Sequence, residues 1–316
     1  MRIIRFNKHA RTRDIVLALG NFDGVHVGHR ELILEALKYA RKNKLPCFAM
    51  TFDPHPQEVV NPARGLSLLT TLPERLELMR RLDIDGVIIK EFSKEISKLP
   101  PEKFIYDFLV KHLNVKKVFI GFDFAFGHKR AGTISLLNKL GGKYGFKVNS
   151  VRPVMTHGHI VKSSTIRDML ARGDFGKAVK LLGHPYTITG KVVKGRGRGK
   201  RLGFPTANLS VAEDKLVPAH GVYFGKSKLQ NPNFKTNPKS KNPTYKCLVN
   251  IGSRPTFAEE KFAVEVHIPG FRGNMRGRTI QVDLYKRLRD EIHFADVEKL
   301  KKQIRSDIEK ARKFRF

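Results

Sequence analysis

Along the first half of the chain, apolar positions follow two rhythms that alternate. IVLALG (15–20) is a short unbroken apolar run, and from about Gly28 to Asn43 the residues Leu32, Ile33, Ala36, Leu37 and Ala40 fall on one face at helical spacing. A second apolar run, CFAMTF (47–52), follows. Strand, helix and buried strand in such a short stretch make a βαβ unit, which calls for a parallel sheet. The rhythm continues with a helix near 73–82, a strand at 86–92, a helix near 101–113, a strand at 117–122, a helix near 132–141 and a strand at 146–151. The expected architecture is an open α/β sheet covered on both faces.

The texture changes after LLGHPYTITG (181–190). YTITGKVV, GVYFGKSKL, KCLVNIG, FAVEVHI and TIQVDLYKRL alternate apolar and polar residues, broken by glycine and proline, with no helix between them. Short strands in that succession predict a small barrel or sandwich. A closing helix over about 295–313 carries Val297, Leu300, Ile304, Ile308 and Ala311 as one apolar stripe, suited to covering a barrel face. The change in texture puts the domain boundary near Gly183–Tyr186, giving domains at 1–184 and 185–316.

The apolar runs are too short to cross a bilayer and no secretory pattern opens the sequence, so membrane spanning and secretion are not expected. Cys47 and Cys247 have neither metal-ligand nor redox spacing, which fits free thiols in a reducing cytoplasm. The net charge of +32 over 316 residues changes the picture more, because such a field attracts polyanions or phosphorylated small molecules. Its densest stretch, 226–246, holds six lysines and no acid among prolines and asparagines, and reads as a long mobile loop. No nucleic-acid recognition motif accompanies the charge.

GNFDGVHVGHRELI (20–33) sits where the first strand turns into the first helix. In an open α/β sheet that is where ligands bind, and a helix N-terminus favours anions. Gly20, Gly24 and Gly28 permit close backbone approach, while His26 and His29 can donate to phosphate oxygens and stabilise charge at a transferring phosphorus. Two histidines at this spacing also fit a plain surface helix start or part of a metal site, but no cysteine lies nearby to complete a zinc set. The chemistry indicated is nucleotidyl transfer.

GNFDGVHVGHRELI, TFDPHP (51–56), GFDFAFGHKRAG (121–132) and VKSSTIR (161–167) occur in the order seen in the adenylyltransferase module of prokaryotic bifunctional FAD synthetases, which this half of the chain resembles. The resemblance implies a Rossmann-like α/β nucleotidyltransferase domain with an H-x-G-H motif. It implies that His26 and His29 bind the ATP triphosphate and stabilise the transition state, with Gly20, Asn21, Phe22 and Asp23 in the same loop. Ser163, Ser164 and Arg167 close over the phosphates, and Asp53, His55, Pro56, Asp123, Phe124 and Arg130 fall in the blocks of the flavin side. Lys162 departs from the family pattern, standing where the first serine of the motif is usual.

KGRGRGKRLGFPTANL (194–209) looks at first like a P-loop. It is not one, because Lys200 is followed by Arg201 rather than Ser or Thr. A short RGG-like RNA-binding tract is the other plain reading. LGFPTAN, GVYFG (221–225), NIGSRPTF (250–257), VEVHI (264–268) and KRLRDEIHF (286–294) instead resemble riboflavin kinase. That resemblance implies a six-stranded β-barrel with a C-terminal helix. It also implies that Gly195, Gly199, Lys200 and Gly203 cover ATP, that Thr206 and Asn208 hold Mg2+ and the nucleotide, that Glu265 is the general base on the ribityl hydroxyl, and that Arg289 positions the flavin. Read without the family, Glu265 is an outward strand carboxylate and Arg289 a partner of Asp290 or Glu291.

The two resemblances together imply a cytoplasmic bifunctional enzyme that makes FMN from riboflavin and FAD from FMN, using ATP as co-substrate with Mg2+ and needing no tightly bound redox cofactor. Its expected ligands are riboflavin, FMN, FAD and ATP, with no membrane and no physiological nucleic-acid partner; weak self-association is left open. The rival readings are a chain with one active module, and an RNA-binding protein built on a nucleotidyltransferase-like domain.

Overall fold

The computed structural model describes residues 1–7, 12, 14–156, 158–195, 197–229, 243–254 and 261–314. The chain divides into two compact units, Met1–Ser163 and Ser164–Phe316.

The first unit is built on a six-stranded parallel sheet of β1 (Arg2–Arg5), β2 (Ile15–Leu19), β3 (Cys47–Asp53), β4 (Gly86–Glu91), β5 (Val115–Gly121) and β6 (Lys147–Val151), in the order β1-β4-β3-β2-β5-β6. Its helices are α1 (Val27–Lys42), α2 (Pro56–Val60), α3 (Leu72–Arg80), α4 (Lys94–Ser97), α5 (Pro101–Phe104), which continues as a π-helix over Ile105–His112, and α6 (Ile134–Tyr144). A small hairpin, β7 (Met155–Thr156) and β8 (His159–Ile160), follows β6. Every residue of β2 is buried, as a central strand covered on both sides must be: Ile15, Leu17 and Leu19 pack into one core, Val16 and Ala18 into the other. From β2 the chain proceeds to β3 and β4 on one side, then crosses back to β5 and β6 on the other. The sheet therefore has a switch point between the carboxyl ends of β2 and β5.

The open sheet covered on both faces stands as expected, with α2, α4 and the β7–β8 hairpin added and three further differences. β1 is too short for an apolar run to mark it; it pairs with β4, Arg2 opposite Gly86 through Arg5 opposite Ile89, and packs Ile4 against the core. The helix expected at 101–113 changes hydrogen-bond pattern after Phe104 while keeping Phe104, Ile105, Phe108 and Leu109 buried. The helix expected from 132 starts at Ile134, because Thr133 caps it by accepting from the Leu136 N–H.

The second unit opens with α7 (Ser163–Arg172), whose first residue closes the preceding unit, and α8 (Phe175–Leu182). Its strands are β9 (Tyr186–Val193), β10 (Ala207–Val211), β11 (Gly221–Leu229), β12 (Thr244–Arg254), β13 (Lys261–His267) and β14 (Thr279–Arg289), with the short α9 (Arg198–Arg201) after β9. They close a barrel in the order β10-β13-β12-β11-β14-β9, antiparallel throughout. The sixth strand, β10, begins inside the FPTAN motif. α10 (Val297–Lys313) covers the wall formed by Val222, Phe224 and Leu248 through Ala311, with Ile308 and Phe314 packed beside it. Val297, expected on the apolar stripe, is 48% exposed because it is the first residue after the capping Asp296.

The lysine-rich segment 226–246 is a loop only in part: its described ends belong to β11 and β12, where Lys228 pairs with Thr244 and Lys226 with Lys246. Residues 230–242 lie outside the described residues, as do 255–257 of the NIGSRPTF block.

Candidate active sites

In the first unit the turn after β2 is tightly held. Phe22 and Val25 have positive φ (54° and 38°) and are buried at 0% and 1% exposure, so packing maintains a backbone that non-glycine residues avoid. Asp23 is buried, and its carboxylate accepts from Leu69 N (3.0 Å), Thr70 N (2.9 Å) and Thr70 Oγ1 (3.0 Å). It staples the turn to the neighbouring loop. Gly24 N donates to Thr70 Oγ1 at 2.9 Å, and Thr51 Oγ1 donates to Asn21 O at 2.8 Å.

This turn delivers His26 to the N-cap of α1, where its Nδ1 accepts from His29 N at 3.2 Å. A neutral imidazole that accepts at Nδ1 carries its proton on Nε2, leaving a donor there. The rings of His26 and His29 stack, with centroids 3.5 Å apart and planes at 15°, and Phe22 meets His29 edge-on at 5.4 Å. α1 has no acidic residue in its first turn, so the positive end of its dipole is uncompensated by the chain itself. Ser163 Oγ donates to Asp23 O at 2.9 Å, which brings the start of the SSTIR motif against the same turn. Ser164 and Arg167 lie on the first turns of α7, in the second unit.

The expected flavin-side residues follow β3 and β5, the two strands that flank β2. Parallel pairing brings the carboxyl ends of all three to one edge of the sheet. Asp53 ends β3. His55 is buried and caps α2, its Nδ1 accepting from Gln57 N at 3.2 Å, while Glu58 accepts from His55 N at 2.7 Å; Pro56 is the first residue of the helix. After β5, Asp123 is exposed, Phe124 stacks on Phe126 with centroids 5.7 Å apart, and Arg130 Nη2 reaches Asp123 O at 3.5 Å.

Sequence reasoning missed Arg75. Its buried guanidinium donates to Thr51 Oγ1 (3.0 Å), Phe52 O (3.2 Å) and Thr70 O (3.5 Å), tying the end of β3 to the loop that holds Asp23. Nothing in the helical periodicity of α3 distinguishes it from a surface arginine.

In the second unit, register places Asn208 of β10 directly opposite Glu265 of β13, and Asn250 of β12 opposite Glu265 from the other side. Residues directly opposite share a face of the sheet. The row therefore lies on the same face as Val222, which faces Asn250 across the β11–β12 pair and belongs to the wall under α10. Asn208 is buried and Glu265 half-buried. The glycine-rich segment folds back over this row. A Cβ on Gly195 would overlap the Asn208 amide, and one on Gly199 would stand 3.1 Å from Thr206 Oγ1 and 2.5 Å from Phe204 O. Lys200 is exposed on α9, and Gly203 turns the chain at φ 85°. His267 Nδ1 lies 2.8 Å from Pro205 O, beside the same FPT segment.

A cavity of about 610 Å³ opens at the carboxyl end of β14, lined in part by His220, Phe262, Arg287, Asp290, Glu291 and His293. Arg287 donates through Nη2 to His220 O and to Asp290, while its buried Nε has no hydrogen-bond partner among the described residues. Arg289, two residues on, is engaged elsewhere: its Nε and Nη2 both lie 2.9 Å from Asp307 Oδ2 of α10. Sequence reasoning missed Asn250 and Arg287 because both sit within matched blocks beside better-marked residues. Among the described residues no cluster of three or more His, Cys, Asp or Glu could hold a metal, and no helix is long and apolar enough to cross a membrane.

Comparison with known proteins agrees with this division of labour. The FAD synthetase family model matches residues 8–165, and the riboflavin kinase family model matches residues 182–315. The chain is 38% identical to the bifunctional riboflavin kinase/FMN adenylyltransferase of Escherichia coli, over 95% of this chain and 92% of that one. It is 36% identical to the protein of the same description from Buchnera aphidicola subsp. Schizaphis graminum, over 99% of each. A crystal structure described as a macrolide-efflux protein from Streptococcus pneumoniae has a TM-score of 0.87 and 30% identity, covering 100% of each chain. With a nucleotidyltransferase-like sheet, a closed barrel and relatives aligned along most of its length, the chain belongs to the bifunctional riboflavin kinase/FMN adenylyltransferases, which use ATP first to phosphorylate riboflavin and then to convert FMN to FAD and pyrophosphate.

Proposed function

We propose that the turn between β2 and α1 is the adenylyl-transfer site, and that His26 and His29 are its catalytic residues. The observation that carries this reading is the stacked histidine pair at the N-terminus of a 16-residue helix with no acid in its first turn. Backbone N–H groups, the helix dipole and the His26 Nε2 proton together form a place for a polyphosphate. An oxygen of the FMN phosphate attacks the α-phosphorus of ATP and pyrophosphate leaves, so no covalent bond to the enzyme forms. The histidines then act by alignment and by stabilising negative charge on the transferring group. Gly20, Asn21, Phe22 and Asp23 shape the turn, Asp23 from beneath it. Ser163 joins the turn directly, and Ser164 and Arg167 are assigned to the phosphates on the sequence resemblance alone. Asp53, His55, Pro56, Asp123, Phe124 and Arg130 form the FMN side of the same sheet edge.

In the barrel, Glu265 acts as general base on the ribityl 5′-hydroxyl, with the flavin reaching the cavity beside Arg287. Gly195, Gly199, Lys200 and Gly203 cover the ATP phosphates. Arg289 works at one remove, holding α10 to β14 through Asp307. Thr206 and Asn208 suit a hard cation: both offer neutral oxygens, and the glycine backbone above them leaves room that a side chain would fill. They would hold Mg2+, which would supply positive charge to offset that of the ATP phosphates. The functional division is placed at 184/185, between α8 and β9. We read the net charge of +32 as an attraction for phosphorylated substrates rather than for nucleic acid, and the two buried free thiols as suited to the cytoplasm.

The test is a crossed pair of variants assayed with riboflavin plus ATP and, separately, with FMN plus ATP. His29→Ala should make FMN but no FAD, and Glu265→Gln should make FAD from FMN but no FMN from riboflavin. Loss of both activities in either folded variant would overturn the assignment.

A further inference from the structure

The switch point of the sheet is bridged by an ion pair that the adenylyl-transfer assignment leaves unused. Lys162 Nζ lies 3.5 Å from Asp123 Oδ2 and 5.1 Å from the centroid of Phe122. Phe122 and Asp123 follow directly on β5, while Lys162 is followed by Ser163, which hydrogen-bonds the turn after β2. On the other side of Lys162, Val161 passes close to α1, its carbonyl oxygen 3.7 Å from where a Cβ on Gly28 would stand. The ammonium group is thus carried by the segment that borders the histidine turn, yet directed towards the β5 side of the crevice.

We propose that Lys162 binds the phosphate of FMN, the second substrate, at the point where it meets the ATP bound on the histidine turn. Adenylyl transfer requires two phosphate anions to approach within bonding distance, and the histidine turn offsets charge only on the ATP side. A cation standing between the two strand ends relieves it, and an ammonium group has the donors to contact a phosphate while still facing a carboxylate. The pair is half exposed, at 42% for Lys162 and 57% for Asp123, so a substrate can reach it and little energy holds it shut. Asp123 then has a role of its own: it draws the flexible lysine to the FMN side when no phosphate is present. Assignment to FMN rather than to ATP follows from the partners, since both groups touching Lys162 belong to the β5 turn and the histidines belong to the β2 turn.

This inference rests on the adenylyl-transfer site proposed above, and the test separates the two. FAD formation from FMN and ATP would be measured for the wild type, Lys162→Ala and Lys162→Arg, varying each substrate and the salt concentration. Lys162→Ala should raise KM for FMN by about 10-fold, the size of one charge-assisted hydrogen bond at a partly exposed site. KM for ATP should change by less than about 2-fold, the salt dependence of KM for FMN should flatten, and Lys162→Arg should restore most of the loss. FMN formation from riboflavin should be unaffected in every variant. Normal FAD synthesis by Lys162→Ala with KM for FMN unmoved, or an equal rise in both constants, would overturn the role of Lys162 while leaving the histidine site standing. No FAD from the wild type would overturn both.

Discussion

Asn208 and Glu265 face each other across the antiparallel pair of β10 and β13, and the glycine-rich segment lies so close above Asn208 that a single methyl group at Gly195 would overlap its amide. Asn208, proposed to hold the metal, and Glu265, the proposed general base, therefore sit on neighbouring strands, and the covering loop depends on having no side chain there. Gly195→Ala should displace either the loop or Asn208 and lower kinase kcat/KM by at least about 10-fold, or about 1.4 kcal/mol of transition-state stabilisation. FAD formation from FMN should remain at the wild-type rate. Parallel assays of the two half-reactions check this.

Asp23 is predicted to matter more for holding the histidine turn than for touching ATP. Asp23→Ala leaves the buried N–H groups of Leu69 and Thr70 without their acceptor, at a cost of about 1–3 kcal/mol each. Thermal unfolding should shift down markedly, and FAD formation should fall with it. Asp23→Asn, which keeps one acceptor oxygen, should lie between the two.

The Arg289–Asp307 pair anchors α10 to the barrel, with side chains only 18% and 3% exposed. Removing one partner leaves a buried charge uncompensated, so Asp307→Ala should destabilise the second unit by about 3 kcal/mol. Denaturant titration would show the loss. KM for riboflavin should rise, because Arg287 and the cavity beside it lie on the same strand as Arg289.

Neither thiol should react in the native protein. Burial, then the nearby Asp85 carboxylate, pushes Cys47 from its ordinary value of 9 up to about 12, and burial also pushes Cys247 up. A thiol reagent at pH 8 should modify neither residue until the chain unfolds. Since the folded-state pKa of Cys47 exceeds the unfolded one, its neutral form stabilises the fold below about pH 9, and that contribution is lost as pH climbs towards 12. Stability should decline over that window, less so in Cys47→Ala.

The buried elements were legible in the sequence because burial imposes a pattern. β2, β3 and the stripe of α1 stand out as apolar runs or helical repeats, and each lies where that pattern puts it. β1 was not legible, because in an edge strand reading RIIR only Ile4 packs against the core, too little to make a pattern beside the backbone pairing with β4. The histidine motif was legible by its spacing. Arg75 was not: its importance lies in being buried among main-chain carbonyls, which helical spacing does not encode. Arg289 was expected beside the flavin and lies against Asp307, eighteen residues away in a helix whose docking only the fold determines. The Lys162–Asp123 pair likewise joins two segments that meet only once β5 lies beside β2.

The central claim is that one chain runs two successive reactions at two separate sites. Its most direct test is a time course of flavins separated by chromatography after purified protein is mixed with riboflavin, excess ATP and Mg2+. FMN should rise first and then fall as FAD accumulates, with pyrophosphate released in step with FAD. A plateau at FMN, or no phosphorylated flavin at all, would contradict it.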